Sequence, residues 1–303
     1  MSAGVVLLAG LQNDPNVVAV RKALEQKGAT YIFWNQRDLL NDCVFRLYHG
    51  RVGGALLVGE EVIDLRLISG VFHRVSEIEL TPEYQKASDS VARHAVSANW
   101  ILRQWLEIAP IRVMNRGAAN DSNSAKAYQA QQIKHFIPVP DTLVTNDVEQ
   151  ASAFWEEQGR VIYKSCSGER SIVAELDSQT FLARAEVLRS CPVMFQRYIE
   201  GTDVRVHVVG QDVFATAVTS SATDYRYDGE AKWAATDLPN EYKERCVALS
   251  QALGLELAGI DLRITPLGEV YCFEVNPSPA FSVYEDQTGL PIADAIAKHL
   301  MRY

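Results

Sequence analysis

Two short apolar runs near the C-terminal end constrain this chain more than any other feature. Residues 257–264 (Leu-Ala-Gly-Ile-Asp-Leu-Arg-Ile) and 269–275 (Glu-Val-Tyr-Cys-Phe-Glu-Val) are rich in β-formers, and Pro266-Leu267-Gly268 lies between them. Runs of this kind on either side of a Pro/Gly turn predict a hairpin. Side chains alternate across a strand, so Glu274 and Asn276 share a face and Asp261 can meet them across the hairpin. All three end in hard oxygen donors. Asp261 and Glu274 are each flanked by apolar residues, and burying an unpartnered carboxylate costs roughly several kcal/mol. The plainer reading, polar residues solvated beside a turn, leaves those apolar flanks unexplained. Mg²⁺ takes carboxylate and phosphate oxygens in octahedral geometry, so the trio suits one or two Mg²⁺ ions holding a nucleotide triphosphate.

With 303 residues the chain can bury a large core and is expected to divide into two or three lobes. Its 48% hydrophobic and 22% charged residues are those of an ordinary globular protein. A net charge of −9 counts against a nucleic-acid partner, whose affinity comes from clustered Lys and Arg. The five cysteines are scattered, with no CxxC pair, so neither zinc nor a disulfide framework is expected, and free thiols point to the cytoplasm. The N-terminus lacks the basic region of a signal peptide and reads as a first strand. No run approaches the ~20 apolar residues of a membrane span.

Strands at Val5 to Ala9 and Thr30 to Trp34 flank a helical pattern over Val17 to Lys27, the spacing of a parallel α/β unit. Short strands follow at Val52 to Leu57, Glu61 to Leu65 and Gly70 to Arg74. One long helix is predicted from Pro82 to Ala109, with Trp100 and Trp105 read as core. A second segment opens near Asn115, where Ser122 or Ser124 can cap a helix running to His135. Next come a strand at Thr142 to Thr145, a helix at Val148 to Gln158 and strands at Val161 to Lys164 and Ser171 to Glu175. A helix at Thr180 to Leu188 leads to the strand Val193 to Tyr198. The third segment carries strands at Val204 to Val209 and Val213 to Val218, a helix at Glu241 to Leu253, the hairpin and a final helix at Ile292 to Met301.

Three further stretches carry chemistry. Lys164 leaves an apolar strand into the loop Ser165 to Arg170, where an ammonium and loop N–H groups can hold phosphate oxygens; alone, it would read as a surface lysine. Gln196-Arg197-Tyr198-Ile199-Glu200-Gly201-Thr202-Asp203 runs from a strand into a glycine turn. Its backbone can meet an adenine edge and Asp203 a ribose, with a solvent-exposed turn the equal alternative. Arg205 points to the same face as Asp203. The polar, aromatic stretch from Ser220 to Lys232 is a candidate substrate loop or a solvated one.

The order Lys126, Lys164, Gln196 to Ile199, Asp203, Asp261, Glu274 and Asn276 resembles the ATP-grasp superfamily, in its RimK-like branch. Val139-Pro140-Asp141-Thr142-Leu143-Val144-Thr145-Asn146-Asp147, Tyr163-Lys164-Ser165, Asp203-Val204-Arg205-Val206-His207-Val208-Val209-Gly210 and Thr223-Asp224-Tyr225-Arg226 are similar to the microviridin-type peptide ligases, the graspetide synthetases. The similarity covers roughly Asn115 to the C-terminus. It implies an α/β ATP-grasp fold: an N-terminal α/β domain (1–114), a central lobe (115–198) and a C-terminal antiparallel-sheet lobe (199–303), with ATP between the last two. It further implies Lys126 and Lys164 on the phosphates, Gln196, Arg197, Tyr198 and Ile199 at the adenine, and Asp203 at the ribose. Asp261, Glu274 and Asn276 would bind Mg²⁺ (or Mn²⁺), and Arg263 and Arg205 would stabilise an acyl-phosphate or its successor. Two departures stand out: the loop after Lys164 has one glycine and adds Glu169, and Arg197 replaces an acidic residue. The implied activity is ADP-forming ligation of a carboxylate to an amine or hydroxyl through an acyl-phosphate, on a ribosomal peptide. A small-molecule amino-acid or dipeptide ligase of the glutamate-ligase type is the alternative, and a homodimer is an open option. A binding protein without turnover and a phosphotransferase are the rivals.

Overall fold

A computed structural model of the chain describes residues 4–123, 125–166, 173–220 and 231–301. The N-terminal part contains β1 (Val5–Gly10), α1 (Pro15–Gln26), β2 (Tyr31–Asn35), β3 (Asp42–Tyr48), β4 (Arg51–Val58), β5 (Glu61–Asp64) and β6 (Ile68–His73). Two helices, α2 (Pro82–Gln85) and α3 (Asp89–Ile108), and the strand β7 (Arg112–Met114) complete it. Strands β2, β1, β6 and β7 form a parallel sheet in that order, and β3, β4 and β5 form a small antiparallel one. Alternate residues of β1 serve opposite faces, as strand geometry requires. Val6 and Leu8 pack with Val17, Val20 and Leu24 of α1, whereas Leu7 and Ala9 pack with Ala98, Leu102 and Trp105 of α3.

The expected single helix from Pro82 to Ala109 is two helices, broken at residues 86–88 with Ser88 as the N-cap of α3. Trp105 is core, but Trp100 is 61% exposed on the opposite side of α3, which corrects its assignment. Strands β3 and β7 were not foreseen from the sequence.

The central part holds α4 (Gly117–Asn123), α5 (Lys126–Ile133), β8 (Thr142–Thr145), α6 (Val148–Gln158), β9 (Val161–Ser165), β10 (Ala174–Glu175), α7 (Ser178–Leu188) and β11 (Val193–Arg197). The sheet order is β10-β9-β11-β8, all antiparallel. Ser122 lies within α4, and the N-cap of α5 is instead Ala125, without a side-chain bond; Ser124 lies outside the described residues.

The C-terminal part has β12 (Thr202–Val209), β13 (Asp212–Thr219), β14 (Lys232–Thr236), α8 (Asn240–Ala252), β15 (Leu257–Ile264), β16 (Val270–Asn276), α9 (Ser282–Thr288) and α10 (Ile292–Met301). Its antiparallel sheet runs β14-β13-β12-β15-β16. One face is apolar: Val204, Val206 and Val208 pack with Ile260, Leu262, Cys272 and Val275 and with Cys246 and Leu249 of α8. Asp203, Arg205, His207, Asp261 and Arg263 therefore project from the other face. Helix α10 closes on the N-terminal sheet so tightly that a Cβ at Gly70 would stand 2.7 Å from the Leu300 carbonyl oxygen.

Asn115, the residue after β7, and two polar residues of the first part hold the backbone around the hairpin. Asn115 Nδ2 donates to the carbonyls of Leu257 and Pro277, both at 2.6 Å, and its Oδ1 accepts from the N–H groups of Glu256 (2.8 Å) and Leu257 (3.1 Å). Asn16 Oδ1 accepts from Phe281 (2.8 Å) and Ser282 (3.0 Å). Arg74 pairs with Asp14 at 2.9 Å and donates to the carbonyls of Ser278 and Pro279 at 3.3 and 3.2 Å.

Candidate active site

The hairpin of β15 and β16 pairs Asp261 with Glu274 and Gly259 with Asn276, so the three oxygen-bearing side chains predicted from sequence are neighbours. The register shifts between Asp261 and Leu262, because Leu262 pairs with Cys272 and Phe273 is the extra residue. Without that bulge a period of two would put Cys272 on the face of Glu274; instead Cys272 is in the core and Glu274 turns the other way. Bulges re-aim side chains in this manner beside functional sites.

Neither carboxylate is fully buried. Asp261 keeps 34% of its side chain exposed and holds Arg205 Nη1 at 2.5 Å. Arg205 itself is only 7% exposed, and an ideal Cβ on Gly259 would lie 2.4 Å from its Nη2. Gly259 is thus the floor on which the guanidinium rests. Gly259→Ala is expected to push Arg205 off Asp261 and, by misplacing charge at the site, to slow turnover by about 100-fold. Steady-state ADP release by the folded variant checks this.

Arg263 is a second, half-buried cation on this face. Its Nε and Nη2 grip the two oxygens of Asp203 at 2.9 Å each, and its Nη1 donates to the Ile199 carbonyl at 2.9 Å. The guanidinium lies 5.3 Å from the Phe273 ring and 5.8 Å from the Tyr198 ring. Asp203 thus orients Arg263 by a bidentate pair.

The connector from Gln196 to Ile199 is already largely bonded. The N–H groups of Arg197 and Tyr198 donate to the carbonyls of Asp141 and Arg160, both at 2.9 Å. Arg197 pairs with Asp141 at 3.1 Å, and its Nη2 reaches the Tyr271 hydroxyl at 3.4 Å. Gln196 is 3% exposed; its Nε2 donates to Thr142 Oγ1 at 3.0 Å, and its Oε1 has no hydrogen-bond partner among the described residues. A buried orphan acceptor fits a donor such as an exocyclic amine.

Lys164 is buried on β9 opposite Met194, and Lys126 opens α5. Burial and then the neighbouring Cys191 push the Cys166 thiol up, while the charges of Lys126 and Lys164 oppose that rise. Lys164 is the penultimate residue of β9, and Lys126 acts on the same thiol. The loop residues 167–172 and most of the candidate substrate loop (221–230) lie outside the described residues.

His207, deep in the same face, bonds the Ala280 carbonyl through Nε2 at 3.3 Å and meets Tyr284 edge-on at 4.8 Å between centroids. Burial and the adjacent Arg205 hold its imidazole well below the usual range, and burial does the same, less strongly, for His73. Both stay neutral in the fold, whereas the unfolded chain takes up protons below about pH 6.5. The melting temperature is expected to fall as pH drops from about 7 towards 5, and less steeply for His207→Gln; differential scanning fluorimetry across that range measures both slopes.

The donor set fits a magnesium–nucleotide group. Among the described residues, no three His, Cys, Asp or Glu side chains cluster, so a cation here has two carboxylates and one amide and must draw other oxygens from phosphate or water, the habit of Mg²⁺. Residues missed from sequence are Asn115, Arg74, Gln129 and Phe273. Each is a common polar or apolar type in an unremarked position, and none carries a spacing signal.

An antiparallel-sheet lobe carrying acids on its open face, beside a small antiparallel lobe presenting two lysines, defines the class of two-lobed nucleotide-binding ligases. The RimK-like ATP-grasp domain family matches residues 121–300, and the chain belongs to that family. Human N-acetylaspartylglutamate synthase A is 27% identical over 243 residues, 73% of this chain and 58% of the relative. The chain thus spans less than two thirds of that curated relative's length. Among solved structures, a Chryseobacterium gregarium RiPP-associated ATP-grasp ligase, in complex with ADP and a leader and core peptide, superposes with a TM-score of 0.84 at 23% identity, covering 98% of this chain and 96% of that one. The Microcystis aeruginosa macrocyclase MdnC, bound to its precursor peptide MdnA, gives 0.77 at 23% identity, covering 98% and 99%. These likenesses establish the ATP-grasp fold over nearly the whole chain, including the N-terminal part.

Proposed function

We propose that the chain is an ATP- and Mg²⁺-dependent ligase that joins a carboxylate to an amine or hydroxyl, acting on side chains of a ribosomal peptide. The observation that carries this reading is the bulged hairpin, which turns Asp261, Glu274 and Asn276 to one face beside the Arg205 and Arg263 pairs. In this reading the lobes are 1–114, 115–198 and 199–303, and the nucleotide lies between the last two. Lys126 and Lys164 neutralise phosphate charge, and Gln196 Oε1 accepts from the adenine amine. With its two N–H groups occupied, the connector meets the base through its remaining groups and side chains. Asp203 serves Arg263 first and reaches the ribose with a remaining lone pair. Asp261, Glu274 and Asn276 hold Mg²⁺ or Mn²⁺, which supplies charge neutralisation for phosphoryl transfer.

The substrate carboxylate takes the terminal phosphoryl group of ATP, giving an acyl-phosphate and ADP; the amine or hydroxyl then attacks its carbonyl and expels phosphate. Arg205 and Arg263, fixed by carboxylates, stabilise the oxyanion without reorganising. Support for a peptide over a free amino acid comes from the likeness to the two peptide-bound ligases across the N-terminal part, where acceptor contacts are expected. The curated relative, an N-acetylaspartylglutamate synthase, favours the amino-acid alternative. Exposed Trp100 on α3 offers a contact for a homodimer.

Intact-mass measurement with ATP, Mg²⁺ and a precursor peptide separates the readings. Loss of one water per bond is expected. Gain of a residue mass selects the amino-acid ligase, gain of phosphate selects a kinase, and absence of ADP with every substrate removes the catalytic reading.

A further inference from the structure

Gln129 lies on α5, one turn after Lys126, and is 2% exposed. Its Nε2 donates to the Val275 carbonyl at 2.6 Å, and its Oε1 accepts from the Val275 N–H at 2.8 Å. Strand β16 is the last in its sheet, so among the described residues no strand neighbours its outer N–H and C=O groups. The carboxamide replaces one peptide unit of a missing strand, using both its donor and its acceptor. At the other side of the bulge the Cys272 N–H donates to the Pro138 carbonyl at 2.8 Å. The two attachments bracket Phe273 and Glu274, and Val275 stands directly between Glu274 and Asn276.

We infer that Gln129 is a positioning residue: by holding both backbone groups of Val275 it fixes the aim of Glu274 and Asn276 toward a shared divalent cation. The inference rests on the metal reading above. A bulged edge strand has a weakened ladder, and a rotation of the 275 peptide carries both flanking side chains with it. A role in packing alone would lower stability without changing how well the folded protein holds a cation.

The test is Mn²⁺ binding to the full chain, followed by electron paramagnetic resonance with a non-hydrolysable ATP analogue. Wild type, Gln129→Ala and Gln129→Glu are compared, with melting temperatures and metal-free affinity for a fluorescent ATP analogue measured alongside. Gln129→Ala is expected to weaken Mn²⁺ binding by about 10- to 100-fold, the range for groups that orient metal ligands, while metal-free nucleotide affinity stays within about twofold. Gln129→Glu keeps the acceptor for the Val275 N–H and loses the donor, so it should fall between the two; it carries the test if the alanine variant does not fold. Unchanged Mn²⁺ affinity in a folded variant overturns the inference, as does an equal loss of metal and metal-free nucleotide binding. A wild-type protein that takes up no Mn²⁺ removes the metal reading itself, a separate and recognisable failure.

Discussion

Glu274→Gln is expected to lower ADP release by at least about 100-fold while leaving the melting temperature within a few degrees, because a preorganised charge is removed and the shape is kept. Glu274 makes this the clean experiment. Its carboxylate has no hydrogen bond or ion pair among the described residues, whereas Asp261 is bound to Arg205 and Asn276 Oδ1 accepts from the Ser278 N–H at 2.9 Å. Asp261→Asn would leave a buried guanidinium without its counter-charge, a change that is strongly destabilising on its own. Loss of activity there would mix folding with chemistry. Circular dichroism and a coupled ADP assay on Glu274→Gln keep them apart, and normal turnover in that variant would remove its metal role.

Asn115→Ala is expected to destabilise the protein by roughly 3–5 kcal/mol, the largest effect anticipated outside the apolar core. Four hydrogen bonds to backbone groups end on this one buried carboxamide. Each buried group left unsatisfied costs about 1–3 kcal/mol, reduced where water enters the gap. The partners lie on both sides of the hairpin, at Glu256, Leu257 and Pro277, so the loss should also loosen the loop after Asn276. Urea denaturation followed by tryptophan fluorescence gives the midpoint shift. Asn115→Asp is the informative second variant, since it keeps the acceptor for Glu256 and Leu257 and loses the donor. A midpoint unchanged in both would mean that water replaces the side chain at little cost.

What was legible in the sequence was the chemistry of oxygen donors and the elements that carry them. The hairpin, the helix Val148–Gln158 and the final helix Ile292–Met301 fall where their patterning placed them, because apolar periodicity and turn residues act locally. The bulge was not legible. Period-two alternation from Glu274 back to Cys272 puts a thiol beside the carboxylate, and only pairing with β15 shows Phe273 to be the inserted residue. Trp100 was misplaced because a helix of apolar and aromatic residues does not declare which of two tryptophans faces out. Gln129 and Asn115 were invisible for a different reason. A polar side chain on a helix or in a connector reads as solvated until the backbone groups that need it are known, and those lie 141 residues or more along the chain. The bidentate capture of Arg263 by Asp203 likewise depends on β12 lying beside β15, which no local pattern reports.

Arg74, just after β6, reaches the Pro-Ser-Pro segment that follows Asn276, and Asn16 of α1 holds Phe281 and Ser282 just beyond it; neither belongs to the stretch shared with the RimK-like family. A version trimmed to that shared stretch would keep every candidate nucleotide contact yet surrender the outside struts of its last cation-facing turn. Grafting the front section of a different ligase onto this one would therefore change more than acceptor choice: unless the transplant brings an equivalent arginine and asparagine, the recipient's grip on its divalent ion should slacken as well.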